Sequence, residues 1–159
     1  MLRRFRLPAA IATLALAACG GPPPAPVAAP PQADPGFVAA GDYELRYGTL
    51  AAADLPRQVA AGYGIERRAG TMVLSVSVLR REAGKLPVPV AATLRGTHRS
   101  LVGEPVALEF RELEAGGAPS WVAEVAPTAP GIVVIDLEAE PAGGGPRLVA
   151  RLMRDAPPR

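Results

Sequence analysis

Alternation of apolar and polar residues is the main pattern of the chain from residue 37 onward. Segment 42–47 places its aromatic and leucine side chains on one face and its charges on the other, as a half-buried β-strand does. Six further segments show the same period of two: 74–78, 88–94, 106–110, 121–125, 133–137 and 148–152. About seven short strands separated by turn residues predict an all-β fold, an immunoglobulin-like or fibronectin-like β-sandwich. A closed barrel is the competing architecture.

One segment breaks this alternation. Leu55, Val59 and Tyr63 follow one another at intervals of four, which is the spacing of one helix face. Asp54 is in position to cap a helix, and Pro56 fits a first turn. The sequence therefore predicts one short helix over residues 54–63, lying on the sandwich or covering one open end.

The N-terminal residues have the pattern of a bacterial export signal. Arginines at positions 3, 4 and 6 precede an apolar run over residues 7–18, which is too short to span a membrane. The sequence Leu-Ala-Ala-Cys at 16–19 resembles the lipobox of bacterial lipoproteins, in which Cys19 would carry the lipid. We therefore predict a signal peptide over residues 1–18 and lipidation of Cys19. An ordinary secretory signal followed by a lone cysteine is the alternative.

A proline- and alanine-rich segment follows Cys19. Seven of the residues in 20–36 are prolines, a composition that favours an extended spacer. The alternative is a proline-rich ligand for an aromatic groove. The predicted organisation is a linker over 19–36, a β-sandwich domain over 37–155 and a C-terminal tail over 156–159.

Charge counts change once the signal peptide is set aside. The full chain has 17 Lys and Arg against 15 Asp and Glu, and three of the arginines lie in the signal. The mature side chains are therefore close to neutral, so a strongly basic nucleic-acid-binding face is not expected. The single cysteine excludes a disulfide within the chain.

Candidate catalytic chemistry is sparse. His98 is the only histidine, and it lies in a polar stretch that indicates a strand end or turn, without a positioned acid or nucleophile. The acidic residues Glu109, Glu112 and Glu114 are interpreted as a solvated strand face. We therefore expect no catalytic residue, no metal site and no cofactor, and we interpret the protein as a non-enzyme.

Two sets of residues are candidates for interaction. The aromatic residues are expected either in the core or in a recognition patch, and core is favoured because alternation already explains their placement. Paired arginines would form a basic patch for anionic lipid or an acidic partner if the pairs lie side by side. These candidates are Tyr43, Tyr47, Tyr63, Trp121, Arg67, Arg68, Arg80 and Arg81.

Three segments carry a family resemblance: Gly-Asp-Tyr-Glu-Leu-Arg-Tyr at 41–47, the region 55–67 with its Tyr-Gly-Ile, and Leu-Ser-Val-Ser-Val-Leu at 74–79. Together they resemble an uncharacterised family of small exported proteobacterial proteins, labelled as a domain of unknown function. The chain departs from that family at two positions: Arg46 stands where histidine is frequent, and Ser75 stands where asparagine is usual. The resemblance implies export and a shared fold, and it implies no activity.

The predicted function follows from location and the lack of chemistry. We expect a lipid-anchored accessory or adaptor that docks another envelope protein through a sheet edge or the helix-bearing end. The alternative is a small-ligand carrier with a pocket under the helix. Because Gly20 rather than aspartate follows Cys19, resemblance to lipoproteins implies the periplasmic face of the outer membrane rather than the inner membrane.

Overall fold

Ten β-strands and one short helix make up the part of the chain that the structure, a computed structural model, describes: residues 34, 36–115 and 117–159. The predicted signal peptide, Cys19 and most of the predicted linker lie outside these residues. The elements are β1 Phe37–Ala40, β2 Tyr43–Ala51, α1 Arg57–Gly62, β3 Met72–Arg80, β4 Val88–Pro89, β5 Ala92–Ser100, β6 Val106–Ala107, β7 Arg111–Ala115, β8 Ala118–Val125, β9 Ile132–Pro141 and β10 Leu148–Asp155.

The strands form two antiparallel sheets. Sheet A has the order β1-β2-β3-β8-β7, with β4 paired to the end of β3, and sheet B has the order β10-β9-β5-β6. Alternate residues of both sheets point inward and build one apolar core, whose largest fully buried members include Leu45, Leu74, Ile135, Leu148 and Leu152. The predicted β-sandwich is therefore confirmed, and the two sheets remain separate rather than closing into a barrel.

At two of the predicted strands the chain crosses from one sheet to the other, and residues 108–110 of the second are not in a strand. Val88–Pro89 pairs with β3 in sheet A, whereas Ala92–Ser100 pairs with β9 in sheet B. In the same way, β6 pairs with β5 in sheet B and β7 pairs with β8 in sheet A. The predictions of single strands at 88–94 and 106–110 are therefore wrong. Val88 and Val106, predicted to face inward, are exposed. The later residues of both segments still pack on the core, so alternation does not reveal the crossing.

The helix is shorter than predicted and begins differently. A 3-10 turn at Ala52–Asp54 precedes α1, which starts after Pro56 without a side-chain cap, so the cap predicted for Asp54 is wrong. Helix α1 and its flanking residues lie over the outer face of sheet A, in a second apolar cluster. Val59, expected on the buried stripe, is exposed, and Ala60 is buried instead.

The two ends of the sandwich carry different segments. At one end, here called the Asp34 end, β2, β5 and β10 finish and β3 and β9 begin. Residues 156–159, predicted to be a tail, pack there: the Gly70 N–H donates to the Pro158 carbonyl at 2.9 Å, and the Ala156 N–H donates to the Gly131 carbonyl at 2.8 Å. At the opposite end, here called the Gly145 end, the turn after β9 packs on Tyr43.

Within the described ranges, no helix has the length and apolar character needed to cross a membrane.

Candidate interaction surface

The aromatic candidates divide between core and partial exposure. Trp121 and Tyr47 are buried in the core, and Trp121 lies opposite Val76 of the neighbouring strand. Tyr43 is half-buried against the same core, and Tyr63 is half-buried against the second cluster under α1. These four side chains do not form one exposed patch, and Trp121 in particular is not available to a partner.

The paired arginines lie at opposite ends of β3. Arg67 and Arg68 precede its first residue, whereas Arg80 and Arg81 come at its last, and the nine-residue strand separates them by about 26 Å. Each arginine also has a local partner: a backbone carbonyl for Arg67 and Arg81, and a glutamate for Arg68 and Arg80. The condition for a combined basic patch, that the pairs be neighbours, is not met.

Asp34 fastens the start of the domain to both sheets. Its carboxylate accepts hydrogen bonds from the Tyr47 hydroxyl at 2.9 Å, from the Gly36 N–H at 2.9 Å and from Arg154 at 2.6 Å. Arg154 also donates to the Thr49 hydroxyl at 3.2 Å. The sequence assigned Asp34 to an unpacked linker, and this is wrong for the end of that segment. The sequence around Asp34 is rich in proline and shows no pattern that would indicate its hydrogen bonds to Tyr47 and Arg154.

These contacts shift two pKa values in opposite directions. Burial raises the pKa of the Asp34 carboxyl, but hydrogen bonds from Gly36, Arg154 and Tyr47 outweigh burial and leave it below its ordinary value. Burial, followed by the hydrogen bond to Asp34, raises the pKa of Tyr47 to about 12. Folding therefore favours an ionised Asp34 and a neutral Tyr47.

The substitution Asp34→Asn tests this cluster. We expect it to lower the free energy of unfolding at pH 7 by about 1–2 kcal/mol, because it weakens charge-assisted hydrogen bonds. Since the pKa of Asp34 is depressed in the folded state, its stabilisation is complete above its ordinary pKa of 3.8 and is lost as the pH falls through the folded-state value. Urea midpoints measured from pH 7 to strongly acidic pH give both quantities.

Tyr47→Phe is the matched control, because it removes one neutral donor and keeps the ring. It should cost less at pH 7 and leave the acid dependence that Asp34 contributes largely in place. If the Asp34→Asn and wild-type curves run parallel down to acidic pH, the carboxylate does not stabilise the fold in this way.

His98 occupies a different position from the one predicted. It lies within β5 rather than at a strand end, and its side chain faces inward with the residue only 7% exposed. Burial lowers the pKa of its imidazole. It lines a groove of about 440 Å3 with Glu109 and with Glu124, whose carboxylate pairs with Arg111 at 3.0 Å. Among the residues that the structure describes, no three or more His, Cys, Asp or Glu side chains lie close enough together to hold a metal ion.

The space under the helix is filled rather than open. Leu55, Ala60 and Ile65 pack directly on Val73 and Val122 of sheet A. The small alanine at the contact lets the helix lie close to the sheet, so the apolar side chains close the gap. The pocket that the sequence suggested between residues 54–64 and the sheet is therefore wrong.

The edge strands differ in how well they are protected. Natural sheets protect their edges by shortness, charge or proline. β1 has four residues and β6 has two, and three of the five residues of β7 are charged. β10 has eight residues and pairs only with β9 among the described strands. Its arginines are already neutralised, Arg151 by Asp136 at 2.5 Å and Arg154 by Asp34.

The outer side of β10 is the most apolar part of this edge. Val149 is 62% exposed and Met153 is 54% exposed, both on the solvent face of sheet B. Beside Val149 runs a shallow groove of about 240 Å3 that crosses β5 and β9. β1 contacts β10, so the side chains of β10 that point away from the core are the accessible ones. We call Val149, Met153 and this groove, which is lined by Arg95, Thr97 and Asp136, the β10 surface.

Comparison with known proteins gives a family and a fold. Residues 37–151 match the family described as Domain of unknown function (DUF4426). The fold is similar to that of a DUF4426 family protein from Pseudomonas aeruginosa PAO1, with a TM-score of 0.62 and 25% identity, over 77% of this chain and 94% of that chain. No curated protein matches the sequence.

The fold is also similar to that of FetP from uropathogenic Escherichia coli strain F11. A copper-bound variant of FetP has a TM-score of 0.52 and 16% identity, over 76% of this chain and 93% of that chain. FetP as isolated, after recombinant expression in the periplasm, has a TM-score of 0.50 with the same identity and coverage. At this identity the likeness shows a shared fold.

Proposed function

The chain belongs to the DUF4426 family, whose description assigns no activity, and we propose that it is a lipid-anchored envelope protein without enzymatic activity. In this proposal the sandwich docks another envelope protein through the β10 surface, while the lipid on Cys19 holds it at the periplasmic face of the outer membrane. The observation that carries the proposal is the long edge strand β10, which exposes Val149 and Met153 and whose arginines are paired with carboxylates.

The proposed location is supported by the N-terminal sequence and by a structural neighbour. Positively charged residues, a short apolar run and Leu-Ala-Ala-Cys precede the domain, as in exported lipoproteins. FetP, which shares the fold, was isolated after expression in the periplasm. Acyl chains on one residue contribute about 0.8 kcal/mol per buried methylene, so several chains hold a protein on a membrane stably.

The docking step is supported by the chemistry of the β10 surface. Covering half-exposed Val149 and Met153 would contribute about 1 kcal/mol each, roughly half the value for full burial. Arg95, Asp136 and Glu138 border the groove and can fix the orientation of a partner through polar contacts. Such a contact needs neither an acid, a base nor a nucleophile, which fits the scarcity of these groups in the sequence.

Copper binding is not part of the proposal. The copper belongs to FetP, and the sequence likeness to FetP is 16%. His98 is the only histidine in this chain, and its neighbours Glu124 and Arg111 already pair with each other. Copper sites in proteins usually combine several histidine, cysteine or methionine ligands.

The double substitution Val149→Lys with Met153→Lys tests the docking surface. Lysine on an edge strand opposes docking, and at position 149 it lies opposite Glu138, so the fold should tolerate it. We expect recovery of the partner after crosslinking in the intact envelope to fall about tenfold or more. The free energy of unfolding should change by only about 0.5 kcal/mol per site.

Leu86→Lys with Val88→Lys is the matched control, because it adds the same charge to two exposed apolar residues at the Gly145 end. The control should leave partner recovery unchanged. Equal recovery with all three proteins, or crosslinking that yields only this chain, would refute docking through the β10 surface.

A further inference from the structure

The turn between β5 and β6 presents apolar side chains to solvent in a fixed geometry. The Gly103 N–H donates to the Ser100 carbonyl at 3.2 Å, which closes a β-turn with Leu101 and Val102 at its two corners. Val102 is 99% exposed and Leu101 is also exposed. Turn corners ordinarily carry glycine, proline, asparagine, aspartate or serine. Two branched apolar residues at the corners therefore need an explanation other than turn formation.

The apolar character continues behind the turn. Ile132, which begins β9, is exposed beside it. Val133 pairs with Ser100, so Ile132 comes next to the base of the turn. Leu101 and Val102, with Ile132 at the base of the turn, form an apolar tip at the corner of sheet B, which we call the 101–102 tip.

Strand register places this tip at the end of the domain from which the N-terminal segment departs. Ser100, Val133 and Arg154 lie in one row across sheet B, and Arg154 binds Asp34. Two strand spacings, about 10 Å, separate the outer members of this row. Residues 1–33 precede Asp34, so a lipid on Cys19 is connected to the domain at the same end as the tip.

We propose that the 101–102 tip is a membrane contact, in which Leu101 and Val102 insert shallowly into the leaflet that holds the anchor. This inference rests on the lipid anchor of the proposed function and is independent of docking through the β10 surface. The anchor tethers the domain to the leaflet through the linker, so an otherwise weak apolar contact becomes an intramolecular one. The contact would orient the sandwich and leave the Gly145 end and the outer face of sheet B toward the periplasm.

Nearby charges indicate an apolar contact rather than an electrostatic one. Arg99 donates to the Leu101 carbonyl at 3.4 Å and lies beside the tip, whereas Glu104 lies in the same loop with the opposite sign. A leaflet of anionic lipid would therefore attract and repel this loop to similar degrees. The occupant that fits is the apolar interior of the leaflet, and binding should change little with salt.

An environment-sensitive fluorophore at the tip tests this inference. The full-length lipidated protein with Val102→Cys carries one free thiol after Cys19 is acylated, and it is reconstituted in vesicles of phosphatidylethanolamine and phosphatidylglycerol. The matched control is Leu86→Cys, since Leu86 is an apolar side chain, 87% exposed, at the opposite end of the sandwich. Vesicle flotation, quenching by lipids with brominated acyl chains and quenching by aqueous iodide are measured for both.

The inference predicts blue-shifted emission at position 102 and quenching by brominated lipid several times that at position 86. Flotation with equally weak lipid quenching at both positions would overturn the membrane contact and leave the anchor intact. Protection from iodide at 102 without lipid quenching would indicate contact with a second copy and would also overturn it. Absence of flotation would refute the anchor itself, and with it this inference.

Discussion

Substitution of Cys19 by serine is expected to move the protein from the membrane pellet to the soluble fraction without unfolding it. Serine lacks the sulfur needed for a thioether, and the apolar run at 7–18 is too short to replace the lipid as a spanning segment. The core of the sandwich is built from residues of 36–115 and 117–159, so the serine variant is expected to keep the fold. Fractionation combined with circular dichroism of the released protein measures both effects.

Mass spectrometry of the wild-type N-terminal peptide provides the direct control and should show an acylated Cys19. Retention of the serine variant in the pellet at the wild-type level would contradict a lipid anchor at this residue.

Substitution of Trp121 by alanine is expected to lower the free energy of unfolding by about 3–5 kcal/mol. Its ring is buried between the sheets, and removal leaves a cavity that its neighbours cannot fill without moving. Since the protein has a single tryptophan, urea unfolding is followed by circular dichroism rather than fluorescence.

Leu86→Ala is the control for this measurement, because Leu86 is exposed and its truncation should change stability by only about 0.5 kcal/mol. The prediction separates the two interpretations of the aromatic residues. If Trp121→Ala keeps the wild-type urea midpoint and only weakens partner recovery, Trp121 serves recognition and the packing account is wrong.

Strands were predictable from sequence where both faces have distinct environments. The predicted segments 42–47, 74–78 and 133–137 alternate because one face meets the core and the other is largely exposed, and they fall mainly within β2, β3 and β9. β1 was missed because Phe37–Ala40 is four residues long and carries no polar residue to mark a face. Its place is set by pairing with β2 across a turn at Gly41, whose φ of 55° suits glycine.

Pairing between distant residues was beyond the sequence pattern. Alternation is the same in either sheet, so it could not show that β4 and β5, or β6 and β7, belong to different sheets. Alternation also predicted that Glu44 is exposed to water. In the structure it is buried on the outer face of sheet A, where it pairs with Arg46. Neighbours along the chain gave no sign of this burial.

The candidate surfaces show the same limit. The paired arginines could be identified from sequence, but only the length of β3 shows that 67–68 and 80–81 lie at opposite ends. Val149 and Met153 carried no signal because single exposed apolar residues are common on protein surfaces. Their significance depends on β10 being an edge strand, which is a property of strand order.

The most direct test of the account is photo-crosslinking in living cells, with a photoreactive amino acid in place of Val149 or, separately, of Leu86. The account predicts a discrete crosslinked product with another envelope protein from position 149 and none from position 86, and it predicts loss of this product when Cys19 is replaced by serine. Identical patterns from positions 149 and 86, or a product at 149 that persists without Cys19, would contradict a lipid-anchored docking protein that acts through the β10 surface.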